Sequence, residues 1–315
     1  MSDQRPIVAN LDFDTVKQDI ISYFQSKEQF KDYDFTGSAL NLLIDILSYN
    51  THYYSLASNF LMNESFMDTA LLRQNVVSIA KRMNYLPRSR RAASTTVTLS
   101  VTKQTGDVIV IVPAGTEFTA ASGNSSMSFY NIEDYTVQFQ STDPVGTIKT
   151  VDVVIYEGLY LTQRFTAEKN YEEFAFFDLG QEGIDTSTIY TSVNGSSYNL
   201  VLPASETLFE INGQSNIYFL EENRNGNYNM VFGDGIAGKP LNHGDQILST
   251  YIVSNGADGN GVSSFTVGVP GRSDIVVSAV SAPTSGGGAK ESTQSIKDNA
   301  PKWFQAQSRC VTTND

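Results

Sequence analysis

The chain has a single cysteine, Cys310, in 315 residues, so no internal disulfide can form. That suits assembly in a reducing compartment. It has two histidines, His52 and His243, in unrelated contexts, one in a helical run and one in a loop. A protein metal site needs several ligands at recognisable spacing, and none is visible. No apolar run approaches the roughly 20 residues of a membrane span. No lipidation signal occurs, and the opening MSDQRPIVANLDFD is polar, without the hydrophobic stretch of a signal peptide. Basic residues are outnumbered 21 to 34, giving a formal charge of −13. An acidic surface repels phosphate backbones, which argues against nucleic acid as a partner. The expectation is no metal, no cofactor, no membrane and no nucleic acid.

Catalytic constellations are equally scarce. No G-x-S-x-G elbow occurs, and Cys310 has no accompanying histidine pattern. Gly233-Asp-Gly235-Ile-Ala-Gly238-Lys239-Pro240 fits two phosphate-loop patterns, but Pro240 stands where a magnesium-binding hydroxyl belongs. The residues after it read as loop and strand rather than helix, so a tight turn is expected. Asn255-Gly-Ala-Asp258-Gly-Asn260-Gly261 resembles half a calcium loop but lacks a further carboxylate at the right spacing. A turn or loose linker is the expectation there. Glu172-Glu173 and Glu221-Glu222 are sequence neighbours, so on strands their side chains would face opposite ways. They read as solvated edge charges that discourage stray strand pairing. No catalytic residue is assigned.

What is present is apolar surface in the helical front of the chain. Hydrophobic content of 40% is ordinary for a globular protein and argues against wholesale disorder. Residues 1–11 read as an extended arm. A first helix, capped by Asp12 or Asp14, carries Val16, Ile20, Tyr23 and Phe24. Gly37 and Ser38 supply the turn and cap for a long second helix. That helix has two apolar stripes, one of Leu40, Ile44, Leu47, Tyr54 and Leu61, the other of Leu43, Ile46, Tyr53, Ala57 and Phe60. One stripe docks a helix on its own domain, whereas two imply neighbours on several sides, as in a bundle. A core helix buried within this chain alone is the competing interpretation. The candidate partner interface is Leu40, Leu43, Ile44, Leu47, Tyr54 and Leu61. A third helix, with Leu71, Leu72, Val76, Ile79, Ala80 and Met83 on its buried side, is expected to stop at Pro87. Lys81, Arg82, Arg88, Arg90 and Arg91 form a basic cluster, read as a helix C-terminus and solvated loop or as a contact for an acidic partner.

From Ser94 the period changes from about 3.6 to 2. Val97, Leu99 and Val101 alternate with polar residues. Val108–Val112 is apolar on both faces and reads as a fully buried strand. The Asn225-Gly226 pair between two strand-like runs predicts a hairpin. Ser285-Gly-Gly-Gly288 reads as a flexible joint about which parts could rotate. Beyond it Glu291–Ala300 is helical until Pro301, and the chain stops as another unit begins. The fold class is thus α+β: residues 1–92 helical, 93–281 mainly antiparallel β in one lobe or two, and 282–315 a glycine-rich linker opening a C-terminal helical unit.

The stretch FKDYDFTGSALNLLIDILSYNTHYYSLASNFLMNESFMDTALLRQNVVSIAKRMNYLPRSRRAA resembles the N-terminal region of phage baseplate wedge proteins, the large wedge subunit of T-even myoviruses and the related baseplate protein J family. IVPAGTEF, VFGDGIAGKPL, YIVSNGADGNGV and NAPKWFQAQSRCVTTND follow in matching order. The resemblance implies a non-enzymatic, late structural protein of the virion, in the baseplate of a contractile tail. Its helices would join other wedge proteins and a second copy of itself in a core bundle, with indirect links to tail tube, hub and sheath. Family members continue past the position of Asp315. A module binding host-surface glycan through the tyrosine-rich β region is the alternative.

Overall fold

The structure, a computed structural model, describes residues 12–122, 125–201 and 211–306. The expected N-terminal arm and Cys310 lie outside them. Two compact units divide the chain, one ending at Ile79 and one beginning at Ala80. The architecture is α+β, with helices first, then a large antiparallel β region, then a helix.

In the first unit, α1 (Phe13–Gln25) packs along α2 (Ala39–Glu64), and Lys17 pairs with Asp45 at 2.7 Å. The turn between them is filled by rings. Phe24 meets Phe30 at 5.4 Å, and Tyr33 meets the buried Phe35 at 4.9 Å between centroids. The Ser38 hydroxyl accepts the Asn41 N–H at 3.2 Å, so the predicted cap forms. The break after α2 is braced by Glu64. Its buried carboxylate accepts the N–H groups of Leu71 (2.8 Å) and Leu72 (3.3 Å) and the Asn75 amide (2.7 Å). These donors would otherwise be orphans at the start of α3 (Arg73–Arg82).

Two details of α3 differ from expectation. Leu71 and Leu72 precede the helix and are exposed. The helix ends at Arg82, and Asn84 closes it, before Pro87 is reached. Asn84 adopts φ 54°, its N–H bonds to the Lys81 carbonyl, and the Tyr85 N–H reaches back to Ala80, each at 3.0 Å. A left-handed asparagine closes the last turn and satisfies its carbonyls before the proline is reached.

The second unit holds two sheets. In chain order its strands are β1 (Ser94–Thr102), β2 (Ile109–Val112), β3 (Glu117–Ser122), β4 (Ser125–Tyr130), β5 (Tyr135–Gln138), β6 (Ile148–Glu157), β7 (Leu159–Thr166), β8 (Ala175–Asp178), β9 (Ile184–Val193), β10 (Ser196–Leu200), β11 (Ile217–Glu222), β12 (Tyr228–Phe232), β13 (Gln246–Val253), β14 (Thr266–Gly268) and β15 (Ile275–Val280). The first sheet runs β14-β3-β4-β6-β1-β15, and the two-stranded ribbon β2-β5 covers its inner face. Val97, Leu99 and Val101 point inward as alternation predicts, against Val110, Val112 and Val137 of the ribbon. Ile109 and Ile111 are exposed, contrary to the expectation of a fully buried strand. A two-stranded ribbon has only one face to lay on a core.

The second sheet runs β7-β13-β9-β10-β11-β12-β8, around Tyr218, Met230, Phe232 and Tyr251. The predicted Asn225-Gly226 hairpin joins β11 to β12. β11 is internal, so its carboxylates are not edge charges: Glu222 is buried, and Glu221 pairs with Lys81.

The Gly-Asn loop at 255–261 is neither calcium-like nor loose. It wraps the buried carboxylate of Glu157, which accepts the Ser254 hydroxyl (2.8 Å), the Asn255 N–H (3.1 Å) and the Asn255 amide (2.8 Å). This ties the end of β6 to the segment after β13.

Ser285–Gly288 is not a joint. Arg91 and Gly288 exchange backbone hydrogen bonds of 3.0 Å, Ser94 and Ser285 do the same at 2.9 and 3.1 Å, and Asn260 clamps Gly287. The glycines are there for close approach: a Cβ on Gly287 would overlap the Gly256 carbonyl oxygen. The following helix, α4 (Thr293–Ala306), runs through Pro301 instead of stopping there. Buried Ile296 and Ala300, and Trp303 edge-on to Tyr85 at 6.1 Å, anchor it on both sides of the proline.

Candidate functional site

Helix α2 is built inside out. Of its 26 residues the buried ones are Ser48, Ser55 and Glu64, small or polar, and a single large apolar residue, Ile44. Its large apolar side chains point to solvent. Leu42, Ile46, Tyr49, Tyr53, Leu56 and Phe60 follow one another at spacings of four and three, and all are exposed. At 1.5 Å per residue this seam is roughly 27 Å long. Beside it Leu43, Leu47, Tyr54 (70% exposed) and Leu61 (67%) make a second exposed row, with Asn50 and Ala57 in the intervening positions. A 3-4 repeat of this kind is what places knobs into the holes of a facing helix. Isolated exposed leucines need no explanation, but a contiguous apolar strip marks a docking surface.

Of the six residues predicted for the interface, Leu43, Leu47, Tyr54 and Leu61 are exposed and share the second row. Leu40 is half-buried. Ile44 does not belong to the surface. It is 1% exposed and fills the interior of its own unit, because the helix needs one apolar contact on its inward side. Leu42, Tyr49 and Leu56 were missed. Their signal was the strict 4-3-4-3-4 spacing with Ile46, Tyr53 and Phe60, which mixing in Leu43 and Ala57 had obscured. Asn50 interrupts the second row, while the Thr51 hydroxyl turns back to the Leu47 carbonyl at 2.8 Å.

The basic cluster does not act as one group. Lys81 is spent on Glu221, and Arg90 donates to the Ser254 carbonyl at 3.0 Å. Arg82, Arg88 and Arg91 are exposed. The 233–238 loop follows β12 and leads to no helix, so it lacks the geometry of a phosphate cradle. Among the described residues no group of three or more His, Cys, Asp or Glu could hold a metal. Among them too, no helix is long and apolar enough to cross a membrane.

Residues 12–85 match the family described as "Baseplate wedge protein gp6-like, helical domain". The helical region is thus similar to the helical domain of gp6-like baseplate wedge proteins. Similarity extends beyond it. The chain is 29% identical to "Baseplate wedge protein gp6" of Enterobacteria phage T4 over 328 aligned positions, which cover 96% of this chain and 48% of that protein. The chain therefore spans about half the length of the curated relative it matches. Among solved structures, the anti-feeding prophage baseplate contains a similar chain, 12% identical, with 98% of this chain and 63% of that one covered. Its TM-score of 0.32 is too low to carry weight. The matched residues 12–85 contain the whole of α2, and with it both exposed rows.

Proposed function

We propose that this chain is a structural, non-enzymatic subunit of a phage contractile-tail baseplate wedge, located in the virion tail and assembled in the host cytoplasm. Its α2 rows dock against helices of other wedge proteins and of a second copy of the chain. The observation that carries this is the exposed Leu42-Ile46-Tyr49-Tyr53-Leu56-Phe60 seam, an apolar surface left uncovered on a gp6-like domain. Burying such a strip between helices gains about 25 cal/mol for each Å² of apolar surface removed from water. Arg82, Arg88 and Arg91 offer a contact for acidic neighbours, and links to tube, hub and sheath run through the wedge partners.

The test is Leu47→Asp, which puts a charge on a side chain 52% exposed in the free chain. Co-expressed wedge partners should no longer co-purify, while the circular dichroism spectrum of the chain stays unchanged. Retained co-purification at wild-type yield would refute the docking role of α2.

A further inference from the structure

The side chain of Ile236 is 80% exposed, more than any other large apolar residue described. It cannot be hidden by a movement of its loop, because the loop is braced from inside. The Asp234 carboxylate accepts the N–H groups of Ile236 and Ala237, both at 2.9 Å. Gly235 donates to the Gly238 carbonyl at 3.0 Å, Gly238 to Asn212 at 3.2 Å, and Lys239 to Ser215 at 2.9 Å. A Cβ on Gly213 or Gly233 would overlap the backbone of Gly235 or Gly238. The result is a preorganised tip that presents an isoleucine, with the exposed Lys239 three residues on. Preorganisation removes the ordering cost that usually offsets a small contact.

The matching surface is on the other sheet. The outer side of the β2-β5 ribbon shows Val108, Ile109 and Ile111 to solvent. The exposed carboxylates of Glu133 and Asp134 lie just before β5, at the end where Tyr135 pairs with Val112. One surface is an apolar tip with a cation, the other an apolar patch with an acidic rim. Within a single chain neither covers the other, since both are exposed.

We propose that the Ile236 tip of one copy docks on the Val108-Ile109-Ile111 patch of a second copy, with Lys239 against Glu133 and Asp134. This contact is heterologous, tip to patch, so it passes from copy to copy rather than closing a two-fold pair. It lies in the β-rich unit and goes beyond the helical docking described above.

The experiment uses the full chain with Cys310→Ser. One variant carries Ala237→Cys beside the tip; another carries Gln138→Cys, which lies directly across from Ile109. Each is mixed under mild oxidation after thermal melting confirms folding equal to the parent. The expected result is a disulfide between the two variants, formed about tenfold faster than with Ser278→Cys, an exposed position on β15. Adding Ile236→Ser or Lys239→Glu to the tip variant should return the rate to that of the Ser278→Cys control, and salt should slow it. A rate no higher than the control, or one unchanged by both added substitutions, would overturn the proposal.

Discussion

Tyr85 donates its hydroxyl to both carboxylate oxygens of Glu291, at 2.9 Å each, joining residues 206 positions apart. The same buried carboxylate accepts the Arg88 N–H at 3.0 Å, the Ser295 hydroxyl at 2.6 Å and the Asn299 amide at 3.0 Å. It therefore fastens the start of α4 to the segment that leaves α3. Burial pushes the Tyr85 hydroxyl up to about 12, helped by its bond to Glu291, so it stays a donor throughout the working range.

For Glu291 itself, burial acts to raise the pKa. The hydrogen bonds from Ser295, Arg88 N–H, Asn299 and Tyr85 outweigh it and hold the group below the ordinary 4.5. A carboxylate depressed in the folded state contributes stability that is complete above its unfolded value and is lost as pH falls through the folded one. Protection of α4 amides against hydrogen exchange should thus be flat above 4.5 and decline below it. Glu291→Gln should abolish that decline and lower the protection at neutral pH.

Glu64→Ala removes the acceptor for Leu71, Leu72 and Asn75. A buried donor left unsatisfied costs about 1–3 kcal/mol. The helical unit should melt earlier, and the N–H groups of Leu71 and Leu72 should be the first to exchange.

Adjacent glycines separate the strap from a joint. Gly287→Ala would drive a methyl group into the Gly256 carbonyl and within 3.0 Å of the Ala93 Cβ, whereas a Cβ on Gly288 meets nothing within 4 Å. Gly287→Ala should cost on the order of 2 kcal/mol or more in denaturant melts, and Gly288→Ala about 0.5 or less. Equal, small effects at both would mean the segment is loose after all.

Ile44 and Leu56 sit on one helix and should respond oppositely to the same change. Ile44→Ala empties a core site and should cost about 2–5 kcal/mol. Leu56→Ala, on the outer seam, should leave the chemical melt of the isolated chain within about 0.5 kcal/mol.

Much of this fold could be read directly along the chain. The Ser38 cap, the alternation of Val97, Leu99 and Val101, and the Asn225-Gly226 hairpin are local patterns, carried by residues within a few positions of one another. So were the excess of large apolar residues on α2 and the turn, rather than phosphate cradle, at Gly233–Gly238. What failed depended on distant partners. Ser285–Gly288 looks flexible by composition, but its rigidity comes from Arg91, Ser94 and Asn260. Glu222 looks like an edge charge until β10 and β12 flank its strand. Ile44 and Leu47 are alike in kind and three residues apart. Only the packing of α2 on its own unit decides that one is core and the other surface, because burial belongs to neighbours in space and not in sequence.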